Sequence, residues 1–109
     1  MAWRSVLSAD AIGEDEIVGL KIDGRDVAVC RHDGAYHAFH NICTHQHALL
    51  SDGYVEDGCV ECPLHQGRFD VRTGQATGAP VTVPIKVFPV KVVDGQVHVD
   101  LDGERAENE

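Results

Sequence analysis

What the chain lacks narrows it first. No apolar run approaches the ~20 residues that a membrane-spanning helix needs, so no membrane association is expected. Nothing at the N-terminus resembles a signal peptide: Met1-Ala2-Trp3-Arg4-Ser5 is followed by no apolar run of the required length, and Asp10 arrives early. A cytoplasmic, reducing setting follows as the expectation, and there thiols bind metals more often than they pair. Basic residues are scarce. Nine Lys and Arg stand against 18 Asp and Glu, a net charge of −9, which argues against nucleic acid as a partner. An acidic surface of this kind suits steering toward basic patches on partner proteins, or serves solubility alone. There is no Gly-rich dinucleotide fingerprint, so the chain is not expected to take hydride from a nicotinamide unaided. No long stretch repeats its apolar residues every 3.6 positions, and there is no internal repeat or low-complexity segment.

Turns are what the sequence has in abundance. Asp-Gly occurs six times, at 23–24, 33–34, 52–53, 57–58, 94–95 and 102–103. The pair is a strong signal for a two-residue hairpin, because both central positions of that turn need positive φ. Four of the six lie between runs that read as strands: Ile17–Ile22 into Asp26–Arg31, that run into Ala35–Phe39, Tyr54–Glu56 into Cys59–Glu61, and Lys86–Val93 into Gln96–Leu101. In the last strand Val97, Val99 and Leu101 alternate with Gln96, His98 and Asp100, which predicts one buried and one wet face. Val27-Ala28-Val29-Cys30 is apolar on both faces and belongs nearer the centre. Ser8–Glu16 has room for a helical turn capped by Ser8 or Asp10. Pro89 inside a strand pattern implies an edge or a bulge, Gln75–Pro84 reads as a returning loop, and the charged tail from Glu104 reads as frayed. The expectation is an all-β protein, a small sandwich or barrel, with 109 residues forming one domain and residues 40–75 an excursion within it.

That excursion holds the chemistry. Cys43-Thr44-His45 and Cys62-Pro63-Leu64-His65 each offer one thiolate and one imidazole. Pro63 pre-sets a tight turn on which Cys62 and His65 converge. Cys43 and His45, two apart in an extended segment, point the same way about 7 Å apart, which suits two adjacent irons better than one small ion. Two matched half-sites are what a [2Fe–2S] cluster needs if one iron takes two Cys and the other two His. Neither half saturates a cluster alone, so binding becomes part of folding. The competing reading is a structural zinc in an interaction module. Zinc half-sites usually pair like with like, as Cys-x₂₋₄-Cys and His-x₃₋₅-His, whereas each half here mixes the two. With four cysteines in all, a two-disulfide framework is a third reading, weaker than zinc.

Charge counting says what such a centre does. Two ferric irons, two sulfides and two thiolates sum to zero when both imidazoles are neutral, so the cluster accepts an electron more readily than a four-Cys one. The added electron belongs on the iron that lacks thiolates. His45 and His65 are then the natural exit, and their outer ring edges are expected to face solvent. A terminal oxygenase needs a second, mononuclear iron held by two His and a carboxylate, and no such constellation stands out.

The residues resemble a family here. Cys43-Thr44-His45 … Cys62-Pro63-Leu64-His65-Gln66-Gly67-Arg68-Phe69-Asp70 resembles the Rieske signature. With Leu50-Ser51-Asp52-Gly53-Tyr54, Glu61 through Val71, and Thr73-Gly74, the stretch from about residue 25 onward looks like the small Rieske ferredoxins of naphthalene- and biphenyl-type aromatic-ring dioxygenase systems. The resemblance implies an antiparallel β-sandwich with a cluster-binding subdomain formed by two loops. It implies one [2Fe–2S] cluster per chain, Cys43 and Cys62 on one iron, and His45 and His65 on the other. It implies a carrier rather than an enzyme, passing single electrons from a flavoprotein ferredoxin reductase to a terminal oxygenase. A Rieske-like small subunit of a reductase such as nitrite reductase is the alternative with the same chemistry. Quinol-oxidising Rieske proteins differ: their extra loop cysteines fall at Ala48 and Leu64, and their hydroxyl donors at Gly67 and Phe69. Without those hydroxyls the potential is expected near the low end of the Rieske range, about −150 mV.

The remaining polar residues carry plainer expectations. Cys30 and Cys59 read as buried small hydrophobes. His32, His37 and His98 read as solvent-side strand residues, and His40 and His47 as loop residues. Gly53 and Gln66-Gly67 serve tight backbone geometry around the site. Arg68 reads as a local charge partner. Asp52, Glu56, Asp57 and Glu61 read either as docking charges or as turn solvation.

Overall fold

The computed structural model describes residues 3–42, 48–63, 67–78 and 84–103. Among the described residues eleven strands run β1 (Trp3–Ser8), β2 (Ile17–Ile22), β3 (Arg25–His32), β4 (Ala35–His40), β5 (Tyr54–Glu56), β6 (Cys59–Glu61), β7 (Arg68–Asp70), β8 (Ala76–Gly78), β9 (Val87–Phe88), β10 (Val90–Val93) and β11 (Gln96–Asp100). They form three antiparallel sheets, ordered β1-β11-β10, β2-β3-β4-β9 and β5-β6-β7-β8. Three short 3₁₀ turns, at Ala9–Ala11, Leu50–Asp52 and Leu101–Gly103, are the only helical elements among the described residues.

The central sheet explains the layering. Successive side chains of a strand point to opposite faces, and β3 is apolar on both. Val27 and Val29, with Ala38 and Phe88, pack on Val97 and Val99 of the three-stranded sheet and on Leu101 of the 3₁₀ turn that follows it. Ala28 and Cys30, with Phe39 and Val87, pack on Val55, Val60 and Phe69 of the small sheet and on Val71 just beyond β7. The register agrees, since Ala28 lies opposite Phe39 and Phe39 opposite Val87. The sandwich thus gains a third layer, and that layer carries the second ligand loop.

The four Asp-Gly pairs read as hairpins are hairpins, with φ between 50° and 54° at Asp23, Asp33, Asp57 and Asp94 and between 76° and 81° at the glycines that follow. Ser8 caps the first 3₁₀ turn by accepting from the Asp10 N–H.

Several expectations need correction. Lys86–Val93 is two strands, not one. Pro89 has no N–H for a ladder, and the chain crosses there from the edge of the central sheet to the edge of the three-stranded one. Asp100 is buried rather than wet, because its Oδ1 accepts the Asp102 N–H at 3.0 Å and its own N–H donates to the Pro89 carbonyl at 3.1 Å. The loop read at Gln75–Pro84 begins with β8, paired to β7. Trp3–Ser8, left outside any predicted strand, is β1. The tail from Glu104 lies outside the described residues.

Candidate iron–sulfur site

The expected ligands fall on two connections, the first between β4 and the Leu50–Asp52 turn and the second between β6 and β7. The stems of the first loop, on either side of residues 43–47, are described. Beyond β4 the His40 N–H donates to the Lys86 carbonyl at 2.9 Å, and the Asn41 N–H to the Asp26 carbonyl at 2.9 Å. On the return side an isolated bridge pairs Ile42 with Leu49, and the Leu50 N–H donates to the Asn41 carbonyl at 2.7 Å. Leu50 is fully buried, and Ala48 packs against the same apolar cluster.

The second loop is shorter. The β6-β7 hairpin pairs Val60 with Phe69 and Glu61 with Arg68. The Cys62 N–H then donates to the Gly67 carbonyl at 2.7 Å, which closes the loop at its base. Cys62 is 1% exposed and belongs to the cluster that holds Leu50 and Ala48. Both loop bases therefore rest on one apolar floor. Gly53 brings them together, since a Cβ there would run into the Glu61 carbonyl oxygen, one residue before Cys62.

Of the four expected ligands, Cys62 is described, while Cys43, His45 and His65 lie outside the described residues, as does the predicted exposure of the two imidazoles. What is described fits the cluster. A thiol at the foot of a closed turn sits out of water on apolar carbon, and a mixed thiolate and imidazole set matches the known donor chemistry of such centres. Cys30 and Cys59 are free thiols, which sets aside the two-disulfide framework, since that needs all four cysteines. Phe69 is fully buried and offers only carbon where a hydroxyl donor was the alternative.

Around the second loop, Glu61 is engaged rather than idle. The Tyr54 hydroxyl donates to its Oε2 at 2.7 Å, and this bond pushes the phenol pKa up. Arg68 reaches Glu61 Oε1 at 3.8 Å and donates to the Glu56 carbonyl at 3.1 Å. Arg68 is thus the local charge partner it reads as in sequence. Cys59 is half-buried, not buried, and lies 3.5 Å from the Thr77 hydroxyl. Cys30 is buried, and burial pushes its thiol up to about 12.

The other histidines lie elsewhere. His32 sits beside the Asp33-Gly34 turn, at the far end of β4 from the first loop, with Nδ1 2.7 Å from Asp15 Oδ1. That bond raises its pKa. His37 is held down, chiefly by burial. Sequence reasoning missed Asn41 and Ser51. Asn41 is 3% exposed, its Oδ1 accepts the Ser51 N–H at 2.8 Å, and its Nδ2 donates to Ser51 Oγ at 2.9 Å. The only hint was a polar residue two positions before an expected ligand.

The described residues put Cys62, buried at the foot of one loop, on the same apolar floor as the stem of the other, a scaffold that fits an iron–sulfur protein of the Cys/His type. The Rieske [2Fe-2S] domain pattern matches residues 2–89, and the chain belongs to that family, whose cofactor is one [2Fe–2S] cluster. It is 48% identical over 99 residues to the anthranilate 1,2-dioxygenase ferredoxin subunit of Burkholderia cepacia, covering 91% of this chain and 92% of that one. It is 44% identical over 99 residues to the ferredoxin component of the naphthalene 1,2-dioxygenase system of Pseudomonas putida, covering 91% and 95%. Among solved structures it is similar to a chain in the complex of reduced oxygenase and oxidised ferredoxin of carbazole 1,9a-dioxygenase, with a TM-score of 0.85, 37% identity, and 89% and 91% of the two chains covered.

Proposed function

We propose that this chain is the ferredoxin component of an aromatic-ring dioxygenase system, a one-electron carrier in which Cys43 and Cys62 hold one iron and His45 and His65 the other. It draws electrons from a flavin-dependent NAD(P)H reductase and delivers them to a terminal Rieske non-haem iron oxygenase. It works as a single domain in the cytoplasm and is not itself the enzyme. The observation that carries this reading is the convergence of both loop bases on one apolar floor, with Cys62 buried at the foot of the second. The names of the relatives, and a neighbour found complexed with an oxygenase, support the choice of system.

When bound, the cluster supplies a reversible one-electron couple. The chain's own residues do the rest. The closed turn at Cys62–Gly67 presents its thiolate from an apolar site, where water is excluded and the potential is set by ligand type and nearby donors. Phe69 and Gly67 offer no hydroxyl to the sulfurs, which keeps the potential low enough to be fed from a nicotinamide through a flavin.

The test is spectroscopic and functional together. Protein purified in air is expected to be red-brown, to bleach on dithionite, and to be required when purified reductase and oxygenase turn over an aromatic substrate. Replacing His65 by Cys is expected to keep a cluster and lower its potential. A potential equal to wild type removes His65 from the ligand set. Equal turnover without this chain removes the carrier role.

A further inference from the structure

Asn41 and Asp100 are the buried polar residues among those described. Asp100 is spent on the last 3₁₀ turn. Asn41 needs another account, because a buried amide survives only if its donor and acceptor are both satisfied. Its Oδ1 takes the backbone N–H of Ser51 and its Nδ2 gives to the Ser51 hydroxyl. One side chain thus grips one residue by two atoms, across the base of the first loop.

The place of this grip matters. Ladder pairing between the two stems ends at the single Ile42–Leu49 bridge, and at Leu50 the return strand bends into a 3₁₀ turn. Past that bend the backbone cannot supply another rung. The Asn41 amide, shaped like a peptide group, supplies it. Room for it comes from Gly19 on β2, where a Cβ would sit 2.8 Å from Asn41 Nδ2 and 3.0 Å from Ser51 Cβ. The held turn runs on through Gly53, which lies against the Glu61 carbonyl, and Cys62 follows. A continuous line of contacts therefore links the stem of the first loop to the foot of the second.

We infer that Asn41 and Ser51 form a latch that sets the first ligand loop in register with the second, making Asn41 a positioning residue for the cluster; this rests on Cys43 and His45 being ligands. The latch touches no reacting atom. It acts by holding the Leu50–Asp52 turn, and with it the stem at Leu49, on the floor that Leu50 and Cys62 share.

The experiment uses the cluster-loaded chain and follows two readouts beside melting temperature: the rate at which a chelator bleaches the visible bands at 25 °C, and the g-values of the dithionite-reduced cluster. Ser51→Ala strands the Asn41 N–H₂ in an apolar setting, and bleaching is expected to speed up about tenfold, with altered or broadened g-values. The Asn41→Leu, Ser51→Ala double variant removes the amide and the hydroxyl but leaves the Ser51 backbone N–H without its acceptor, so its melting temperature is expected to stay below wild type and bleaching to stay fast. Val99→Ala, in the apolar cluster on the other face of the central sheet, is expected to lower the melting temperature and leave bleaching and g-values at wild type. The latch is overturned if Ser51→Ala bleaches at the wild-type rate with wild-type g-values, or if Val99→Ala speeds bleaching as much as Ser51→Ala. Cys43→Ala separates this from the ligand reading. If that variant keeps a wild-type spectrum, Cys43 is not a ligand and the premise falls. If it loses the cluster while Ser51→Ala changes nothing, only the latch falls.

Discussion

Gly53→Ala probes the contact that brings the two loops together. Gly53 has φ −90° and ψ −147°, so a left-handed backbone is not what requires glycine. Close approach is. A Cβ there would overlap the Glu61 carbonyl oxygen and sit 3.1 Å from its carbon and 3.3 Å from the Leu50 carbonyl oxygen. All three are backbone atoms, and Glu61 is held in the β5-β6 and β6-β7 ladders, so no side chain can swing aside. Overpacking of this kind costs about 1–3 kcal/mol, offset in part by the ~0.5–1 kcal/mol that alanine saves in unfolded-chain entropy. A net loss of about 1.3 kcal/mol is expected. Unfolding entropy near 2.1 cal/mol/K per residue, over 109 residues, converts that to a fall of about 6 °C in melting temperature. The displaced neighbour leads into Cys62, so the visible bands should fade before the far-ultraviolet signal does. Gly24→Ala is the control. Its φ is +81° with nothing within 4 Å of the added carbon, so it costs about 1–2 kcal/mol of backbone strain with visible and far-ultraviolet signals falling together. Melts followed by both signals decide it. A Gly53→Ala protein that melts within about 2 °C of wild type, with its colour lost only as the fold is lost, would refute the reasoning.

Three further outcomes follow from the same geometry. With its thiol pushed up to about 12, Cys30 has about one thiolate in ten thousand at pH 8, so iodoacetamide should label half-buried Cys59 in the native protein and Cys30 only on unfolding; native labelling of Cys30 at the Cys59 rate would contradict its burial. His32 is raised by its bond to Asp15, so the stability it contributes is full below about pH 6.5 and is lost as pH rises through its folded pKa; Asp15→Asn should lower its NMR titration midpoint, and an unmoved midpoint would show that the bond is not formed. Phe69→Tyr puts a phenol where the chain has buried carbon, and a donor added beside the cluster should raise its midpoint potential by tens of millivolts, read by protein-film voltammetry; an intact fold with an unchanged potential would place Phe69 out of reach of the sulfurs.

How much of the fold sequence reveals depends on how local the cause is. The Asp-Gly turns are legible because positive φ at two adjacent residues is a local demand. Asp52-Gly53 and Asp102-Gly103 carry the same letters and form no hairpin. Neither is flanked by two strands that fold back on each other, and both end 3₁₀ turns instead. The apolar faces of β3 are legible for the same local reason, and they anticipated a central strand. β1 was not. Trp3–Ser8 has no hairpin turn joining it to its partner, which is β11, with Trp3 opposite Asp100. Only the closed fold brings those ends together. Pro89 announced an interruption, but whether the chain bulges or changes sheet is decided by where β10 finds an edge, which lies outside the segment.

The site divides along the same line. Its expected donors are legible because each pair is separated by only one or two intervening residues, and the mixture of thiolate and imidazole narrows the choice of metal. What holds the pairs together is not. Asn41 and Ser51 are ten apart, and either residue, met in sequence, reads as an ordinary turn former. Their meaning arises when the Leu50–Asp52 turn lies across Gly19 and the side chain of Asn41 is shut away from water. From then on its polarity is no longer neutral to the fold. It must be answered by one particular residue on the far side of the loop, and an apolar substitute of the same size would fill the space without specifying which turn lies there. Ligand chemistry says which atoms a cluster needs, whereas a buried amide that only one register satisfies says how the two stems at Asn41 and Ser51 are set against each other.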